Sequence, residues 1–382
     1  MEDASVINKL SIVYIVGFGY LYISRLLTGS TIRMDDQPSE ELRKIQLTGG
    51  STFIVSLPKG WVKKMGLGKG SVVSITQMDN LTLCLQPHDT RKEEEVKRAI
   101  INVTDDITPE NVTRRVISAY LIGYNIIQLR NPSKRIDSAQ RHAVKDFTRK
   151  KLVGTEILSD LPQELTLQVL LSHKELSVKD ALQRMSIIAA SMHRDAMGTL
   201  ESDDSQLAKE VVAMDDDVDR FGLYIIRLLK AAAINSGILR EIGMGSQRQS
   251  LGYRLITKSV ERMADHAVKI AENSLTMTLT DLDEEILSEL RALSDTAVVA
   301  FEDAVDALFE EDYAMAERIM SVAEEGRSRE AGIIQNIIKK APAADVPALR
   351  LILESILRTA EYGADVAEVV LNMTVESEIQ RG

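Results

Sequence analysis

Apolar residues recur at intervals of three and four along the second half of the chain, from about Ser177 to about Thr374. This spacing places the apolar side chains on one face of an α-helix. It predicts long helices over residues 177–198, 206–234, 249–275, 283–309, 313–340 and 346–374. Helices of similar length in two groups of three indicate a tandem three-helix bundle, with repeats at 176–278 and 279–376.

The pattern between residues 41 and 90 is typical of short strands. Alternating or apolar runs predict strands over 43–47, 52–57, 71–77 and 81–86. Gly49 and Gly50 separate the first two strands, and a short helix is predicted over 61–65. We therefore predict a small N-terminal β-rich module over residues 41–90.

Helical and strand patterns alternate in residues 91–175. Thr108 followed by Pro109 is a typical helix start, with Thr108 as the N-cap. Helices are predicted over 110–121 and 137–151, and strands over 125–130, 155–158 and 164–170. This order favours a small α/β module. The predicted fold class is thus multidomain and mainly α, with the strand module, the α/β module and the six-helix bundle in that order.

Residues 1–40 form an apolar lead whose interpretation stays open. The run from Leu10 to Leu27 is about the minimum length of a membrane span and contains Arg25 near its end. A translation start at Met34, a membrane anchor and a packed helix are the three interpretations. The first is favoured because hydrophilic residues follow Met34 directly and because the flank before Leu10 lacks the positive charge of a signal peptide.

Charge is unevenly distributed along the chain. The net charge of −11 argues against a surface that binds nucleic acid throughout, but residues 41–70 carry six Lys or Arg against one Glu. Residues 281–330, in contrast, are strongly acidic. The single cysteine, Cys84, excludes an internal disulfide and fits a reducing, cytoplasmic compartment.

The N-terminal module resembles the AbrB/SpoVT/MazE family of swapped-hairpin DNA-binding domains. The resemblance lies in Gly49, Gly50, the Leu57-Pro58 strand end, and Leu67, Gly70 and Val72 after the short helix. It implies a barrel of interleaved strands from two chains, and hence a homodimer that binds DNA. The phosphate contacts would come from basic side chains, namely Arg43, Lys44, Lys59, Lys63 and Lys64. A solvated basic face on a dimerisation barrel that binds no DNA is the alternative.

Two helices of the bundle carry Glu and Asp four residues apart, as Glu261/Asp265 and Glu361/Asp365. Residues at i and i+4 share a helix face, where like charges destabilise by a few tenths of a kcal/mol. Such a cost at matching places in both repeats indicates a cation that offsets it. Carboxylate oxygens suit Mg²⁺, Mn²⁺, Ca²⁺ or iron. The alternative is a set of salt bridges, with Arg220, Lys258 or Arg262 as the cation.

Residues 261–272 read Glu-Arg-Met-Ala-Asp-His-Ala-Val-Lys-Ile-Ala-Glu, which resembles the third helix of PhoU repeats. The family also has an acidic pair on the second helix, matched here by Asp215 and Asp219. The resemblance implies a metal site in the first repeat, with iron or zinc besides Mg²⁺ or Mn²⁺ as candidates. In the second repeat, Tyr362 and Val366 depart from the motif, and the second helix keeps no clean acidic pair. That site is therefore predicted to be degraded.

The PhoU resemblance implies negative regulation of phosphate uptake through a phosphate ABC transporter. No catalytic constellation is found in the sequence, so we predict that the chain is not an enzyme. His266 follows Asp265 directly and points about 100° away from it on the helix, so we expect it to pack rather than to bind metal. The leading hypothesis is a cytoplasmic regulator that binds DNA. The alternative is a membrane-associated adaptor anchored by residues 10–27, whose basic module serves dimerisation alone.

Overall fold

The structure is a computed structural model that describes residues 41–77, 82–88, 96–171, 175–202, 204–277 and 282–379. The predicted lead at 1–40, including the candidate anchor at 10–27, lies outside these residues. The chain divides into two compact units between Lys92 and Glu93, and each unit is described by itself. In the described ranges no helix is long and apolar enough to cross a membrane.

The N-terminal unit contains two strand hairpins and a short helix. Strand β1 (Gln46–Thr48) pairs antiparallel with β2 (Thr52–Ile54), and β3 (Val73–Gln77) pairs antiparallel with β4 (Leu83–Pro87). Helix α1 covers Lys59–Lys64. The predicted strand at 43–47 is shifted, because pairing with β2 starts only at Gln46 and leaves Arg43 and Lys44 before β1. Gly49 and Gly50 form the first turn with φ of 59° and 81°, a conformation that glycine adopts without strain.

The hairpins leave apolar side chains exposed within one chain. Leu47, Phe53 and Ile75 are 59%, 73% and 60% exposed. The observed strand pairing confirms the strand hairpins that were predicted for this module. The interleaving of strands from two chains, which would bury these side chains, stays a prediction.

The α/β module follows the predicted order of elements. It consists of β5 (Arg98–Asn102), α2 (Pro109–Ile122), β6 (Ile126–Arg130), α3 (Ser138–Lys151), β7 (Thr155–Leu161) and β8 (Glu164–Val169). The sheet order is β5-β6-β8-β7, with β5 and β6 parallel and the other pairs antiparallel. Thr108 caps α2 through its side chain as predicted, and Asp137 caps α3.

The helical bundle confirms the long helices and adds a short one. Its helices are α4 (Val178–Gly198), α5 (Ser205–Ile234), α6 (Ser236–Glu241), α7 (Gln247–Ser274), α8 (Glu284–Glu310), α9 (Tyr313–Lys340) and α10 (Val346–Thr374). The pattern did not predict α6, because six residues contain too few turns to establish a helical period. The predicted class, mainly α with N-terminal strand hairpins and a helical bundle, is confirmed.

The two three-helix repeats share one hydrophobic core. Buried residues from α4, α5 and α7 form a continuous cluster with those of α8 and α10. Helix α10 packs against α7 as well as α8 and α9, so the third helices of the two repeats are in contact. Helix α5 also contributes Leu223 to the separate core of the α/β module. It therefore belongs to both cores, and it is the helix that carries Asp215 and Asp219.

Close packing of α10 on α8 depends on Gly363. A Cβ at this position would lie 3.2 Å from the Cα and N atoms of Phe301, which are backbone atoms that cannot rotate away. We expect Gly363→Ala to lower the free energy of unfolding by about 2 kcal/mol, because the two helices must separate. Urea unfolding followed by far-UV circular dichroism measures this loss.

The matched control is Gly332→Ala on α9, where an added Cβ meets nothing within 4 Å. Alanine favours helix more than glycine does, so this variant should gain up to about 1 kcal/mol. Equal stability changes in the two variants would contradict the assigned packing.

Candidate functional site

The four predicted acidic residues of the first repeat face one another. Asp215 and Asp219 lie on α5, and Glu261 and Asp265 lie on α7, which packs against α5. Burial raises the pKa of Asp215 to about 6, and the negative charges of Asp219 and Asp265 add to this effect. Burial likewise raises the pKa of Asp265, with contributions from Glu261 and Asp219. The two acidic pairs that the PhoU resemblance placed on neighbouring helices therefore lie close enough to affect one another's pKa.

The cation at this cluster is Lys151, the last residue of α3 in the α/β module. Its ammonium nitrogen lies 2.5 Å from Oδ1 of Asp216, 2.6 Å from Oδ2 of Asp219 and 4.0 Å from Oδ2 of Asp215. The side chain is only 16% exposed. No local pattern predicts this contact, because Lys151 comes from another module and precedes Asp219 by 68 residues.

The alternative of a local salt bridge is correct for Glu261, which is not one of the carboxylates that Lys151 contacts. Lys258 pairs with Glu261 at 2.5 Å, one turn away on α7. Arg220, another candidate cation, pairs at 3.4 Å with Asp217, which is outside the predicted site. Local cations therefore neutralise Glu261, whereas Asp216 and Asp219 are neutralised by a residue from another module.

The arrangement with Lys151 in place does not fit a metal ion. Oδ1 of Asp215 is buried without a hydrogen-bond partner among the described residues, which is the kind of oxygen that a cation could use. However, no group of three or more His, Cys, Asp or Glu side chains in the described ranges is arranged to hold a metal. The Lys151 ammonium occupies oxygens of Asp216 and Asp219 and would repel a metal ion at those oxygens. The predicted ligand roles of Asp215, Asp219, Glu261 and Asp265 stay predictions.

The acidic pair of the second repeat is held by arginines. Glu361 on α10 accepts hydrogen bonds from Arg327 of α9 at 2.6 and 2.9 Å, and from Arg358 at 2.6 Å. Burial raises the pKa of Asp365, Glu368 adds to this shift, and the positive charge of Arg262 on α7 opposes it. Arginines thus supply positive charge beside these carboxylates. The degradation of this site stays a prediction. The ligand roles predicted for Glu361 and Asp365 also stay predictions.

The junction of the two repeats contains buried histidines. His266 is 8% exposed, and its ring lies 5.7 Å from that of Tyr362 across the α7–α10 contact, so it packs as expected. His193 on α4 is fully buried, with its Nε2 2.9 Å from Oγ of Ser294 and its Nδ1 3.2 Å from Oγ1 of Thr359. Burial lowers the pKa of His193 to about 3. This neutral ring therefore links α4 to α8 and α10.

The five basic side chains predicted to contact DNA are exposed, namely Arg43, Lys44, Lys59, Lys63 and Lys64. Lys59 and Lys63 lie four residues apart on α1, and so share a face of that helix, with Lys64 beside them. Arg43 and Lys44 are exposed ahead of β1, where Arg43 forms an ion pair with Glu41. Exposure of these cations is the condition for contact with phosphate groups.

The geometry defines a class of protein that joins a basic strand-hairpin module to an acidic helical bundle. Comparison with known families agrees with this description. Residues 182–274 match the PhoU domain, and residues 46–93 match the domain described as antidote-toxin recognition MazE, bacterial antitoxin. Both resemblances predicted from the motifs are thereby confirmed, and along the chain the MazE match precedes the PhoU match.

Curated relatives and solved structures are similar to about half of this chain. A phosphate-specific transport system accessory protein PhoU homolog from Borreliella burgdorferi is 29% identical over 205 residues, 50% of this chain and 89% of that protein. PhoU homolog 1 from Thermotoga maritima is 24% identical over 195 residues, 50% of this chain and 82% of that protein. The crystal structure of PhoU from Pseudomonas aeruginosa has a TM-score of 0.46 at 18% identity, covering 52% of this chain and 96% of that one. A PhoU structure from Streptococcus pneumoniae has a TM-score of 0.45 at 18% identity, with 53% and 96% covered.

Proposed function

We propose that this chain is a regulator of phosphate uptake that acts both on a phosphate transport system and on DNA. The bundle supports the first part, because the curated relatives that match it are accessory proteins of phosphate-specific transport. Contact with components of the phosphate ABC transporter and a cytoplasmic location belong to this proposal. No catalytic step is proposed.

The observation that carries the DNA-binding part is the set of exposed cations on the MazE-type domain. Their positive charge lies in a chain whose net charge is −11, so the basic surface is local. The exposed apolar side chains of the hairpins, Phe53 and Ile75 among them, support pairing with a second copy. A homodimer would present two basic faces to one duplex. The adaptor alternative depends on residues 10–27, which are outside the described residues.

We expect substitution of Lys59 and Lys63 to weaken binding to DNA from upstream of the chain's own gene. The double variant Lys59→Ala, Lys63→Ala should lower affinity at least tenfold, because each lost phosphate contact removes counterion release. The slope of log affinity against log salt should fall by about 0.9 for each lost contact. A gel shift or fluorescence anisotropy titration at several salt concentrations, on the full chain, measures both quantities.

The matched control removes two exposed lysines from the bundle. Lys209→Ala with Lys230→Ala on α5 changes the net charge equally but leaves the N-terminal unit intact. This control should bind DNA as the wild type does. Unchanged binding by the Lys59, Lys63 variant would contradict the assigned DNA-binding face, and equal losses in both variants would indicate an effect of net charge alone.

A further inference from the structure

Lys151 lies in the interface between α3 and α5. It is the C-terminal residue of α3, and α3 packs on α5 beside the acidic cluster. The last turn of a helix favours positive charge, because the unpaired carbonyl groups there are the negative end of the helix dipole. Its ammonium therefore sits where both α3 and the carboxylates of α5 stabilise it.

A second contact, between α5 and α2, holds the α/β module against the bundle. Arg227 of α5 is 8% exposed, donates a hydrogen bond to the backbone carbonyl of Tyr120 near the end of α2, and lies 4.8 Å from the centre of the Tyr120 ring. Leu223, between the two contacts, packs into the core of the α/β module. The C-terminal ends of α2 and α3 are thus both attached to α5. This docking places Lys151 beside the carboxylates of α5.

Lys151 supplies one positive charge to the cluster, shared between Asp216 and Asp219. Burial alone would disfavour the charged form of Lys151, but hydrogen bonds to Asp216 and Asp219 outweigh it and raise the pKa of the ammonium. Burial and the charge of Asp219 raise the pKa of Asp215, and the Lys151 ammonium opposes this rise without cancelling it. The cation that the paired carboxylates require is therefore supplied by the chain.

Space for another cation exists beside Lys151. A cavity of about 220 Å³ lies between α3, α5 and α7, and its lining includes Lys151, Asp219 and Glu261. A water molecule occupies about 30 Å³ in the liquid, so the cavity has room for a metal ion with part of its water. Size does not exclude a metal ion from this place. The ammonium of Lys151 occupies carboxylate oxygens of Asp216 and Asp219 and repels positive charge.

We propose that Lys151 is a built-in counter-cation that excludes metal ions from the first acidic site while α3 is docked on α5. In this chain, cation binding at Asp215, Asp216 and Asp219 and docking of the α/β module are then mutually exclusive. The inference goes beyond the proposed regulation of phosphate uptake and does not depend on DNA binding.

Titration of the full chain with Mn²⁺ tests the proposal, with free Mn²⁺ measured by electron paramagnetic resonance. Lys151→Met should bind Mn²⁺ at least about tenfold more tightly than the wild type, which is 1.4 kcal/mol. Adding Asp219→Asn to that variant should remove the gain. Lys150→Met is the matched control, since Lys150 is its exposed neighbour and pairs with Asp146 at 3.1 Å instead. Lys151→Arg keeps the positive charge and should behave as the wild type does.

Two results would overturn the proposal. One is a Lys151→Met variant that is folded by circular dichroism and binds Mn²⁺ no better than Lys150→Met. The other is a wild-type chain that binds Mn²⁺ tightly and loses this binding with Asp219→Asn, because a metal ion would then displace Lys151. The comparison of the wild type with Asp219→Asn needs no change at Lys151. It can therefore overturn the proposal even where the Lys151→Met variant fails to fold.

Discussion

Acidification is expected to destabilise the helical bundle through His193. The unfolded chain binds a proton at this histidine below about pH 6.5, whereas burial, with smaller effects from the charges of His266 and Arg194, lowers the pKa in the folded chain to about 3. Between these values the unfolded state binds more protons, so the free energy of unfolding falls as pH falls, by up to about 1.4 kcal/mol per pH unit. Between pH 6.5 and 4 the wild type should lose roughly 3 kcal/mol through this group.

Comparison with His193→Gln isolates this contribution. A glutamine amide can donate to one of the two hydroxyl groups, Ser294 or Thr359, and accept from the other, but it does not titrate. The variant should therefore show a flatter dependence of stability on pH, measured by urea unfolding at a series of pH values. His142→Gln removes an exposed histidine of α3 and should keep the wild-type dependence. Parallel curves for wild type and His193→Gln would contradict linkage through this ring.

Helices were well predicted because their signal is local and repeated. A helix such as α5 repeats its apolar face over eight turns, and the prediction of 206–234 differs from the observed Ser205–Ile234 by one residue at its start. The strand at 43–47 was less well placed, since alternation along one strand does not show where its partner ends. Pairing with Ile54 limits β1 to Gln46–Thr48.

The candidate site could be predicted only in part for a related reason. The i, i+4 spacing predicted which carboxylates share a face on α5 and on α7, and the family motif paired the two helices. The cation could be predicted from the sequence only where it is local, as for Lys258 and Glu261. Lys151 reaches Asp219 because α3 docks on α5, and Arg327 reaches Glu361 because α9 packs on α10. Such contacts depend on tertiary packing, which no spacing rule contains.

The two repeats differ in where the cations of their ion pairs come from. In the second repeat the cations that neutralise Glu361 come from α9 and α10 themselves, so charge balance there is internal to the bundle. In the first repeat the balance at Asp216 and Asp219 needs the α/β module. A change in the docking of that module would therefore alter the first site directly and leave the second unchanged. The duplication preserves the acidic pair of the third helix, as Glu261/Asp265 and Glu361/Asp365. The residues that Lys151 contacts, Asp216 and Asp219, lie instead on the second helix of the first repeat.

Truncation of Phe301 is expected to cause a large loss of stability in the bundle. This side chain on α8 is fully buried, and α8 packs closely on α10 at Phe301 and Gly363. Phe301→Ala removes most of a large apolar side chain and leaves a cavity that the close helix contact cannot fill by collapse. The free energy of unfolding should fall by about 4 kcal/mol. Far-UV circular dichroism during urea unfolding, which reports mainly on the helices, measures this loss.

The single tryptophan makes the same experiment specific to one unit. Trp61 lies in α1 of the N-terminal unit, so its fluorescence reports on that unit, while the dichroism signal comes mainly from the bundle. Phe301→Ala should move the dichroism transition to lower urea and leave the fluorescence transition in place. Val299→Ala is the matched control on the same helix, because Val299 is 51% exposed and its truncation should change stability by no more than about 0.5 kcal/mol. Because both repeats share one core, the dichroism transition of Phe301→Ala should stay single, and a transition split into two steps would show instead that the repeats unfold separately.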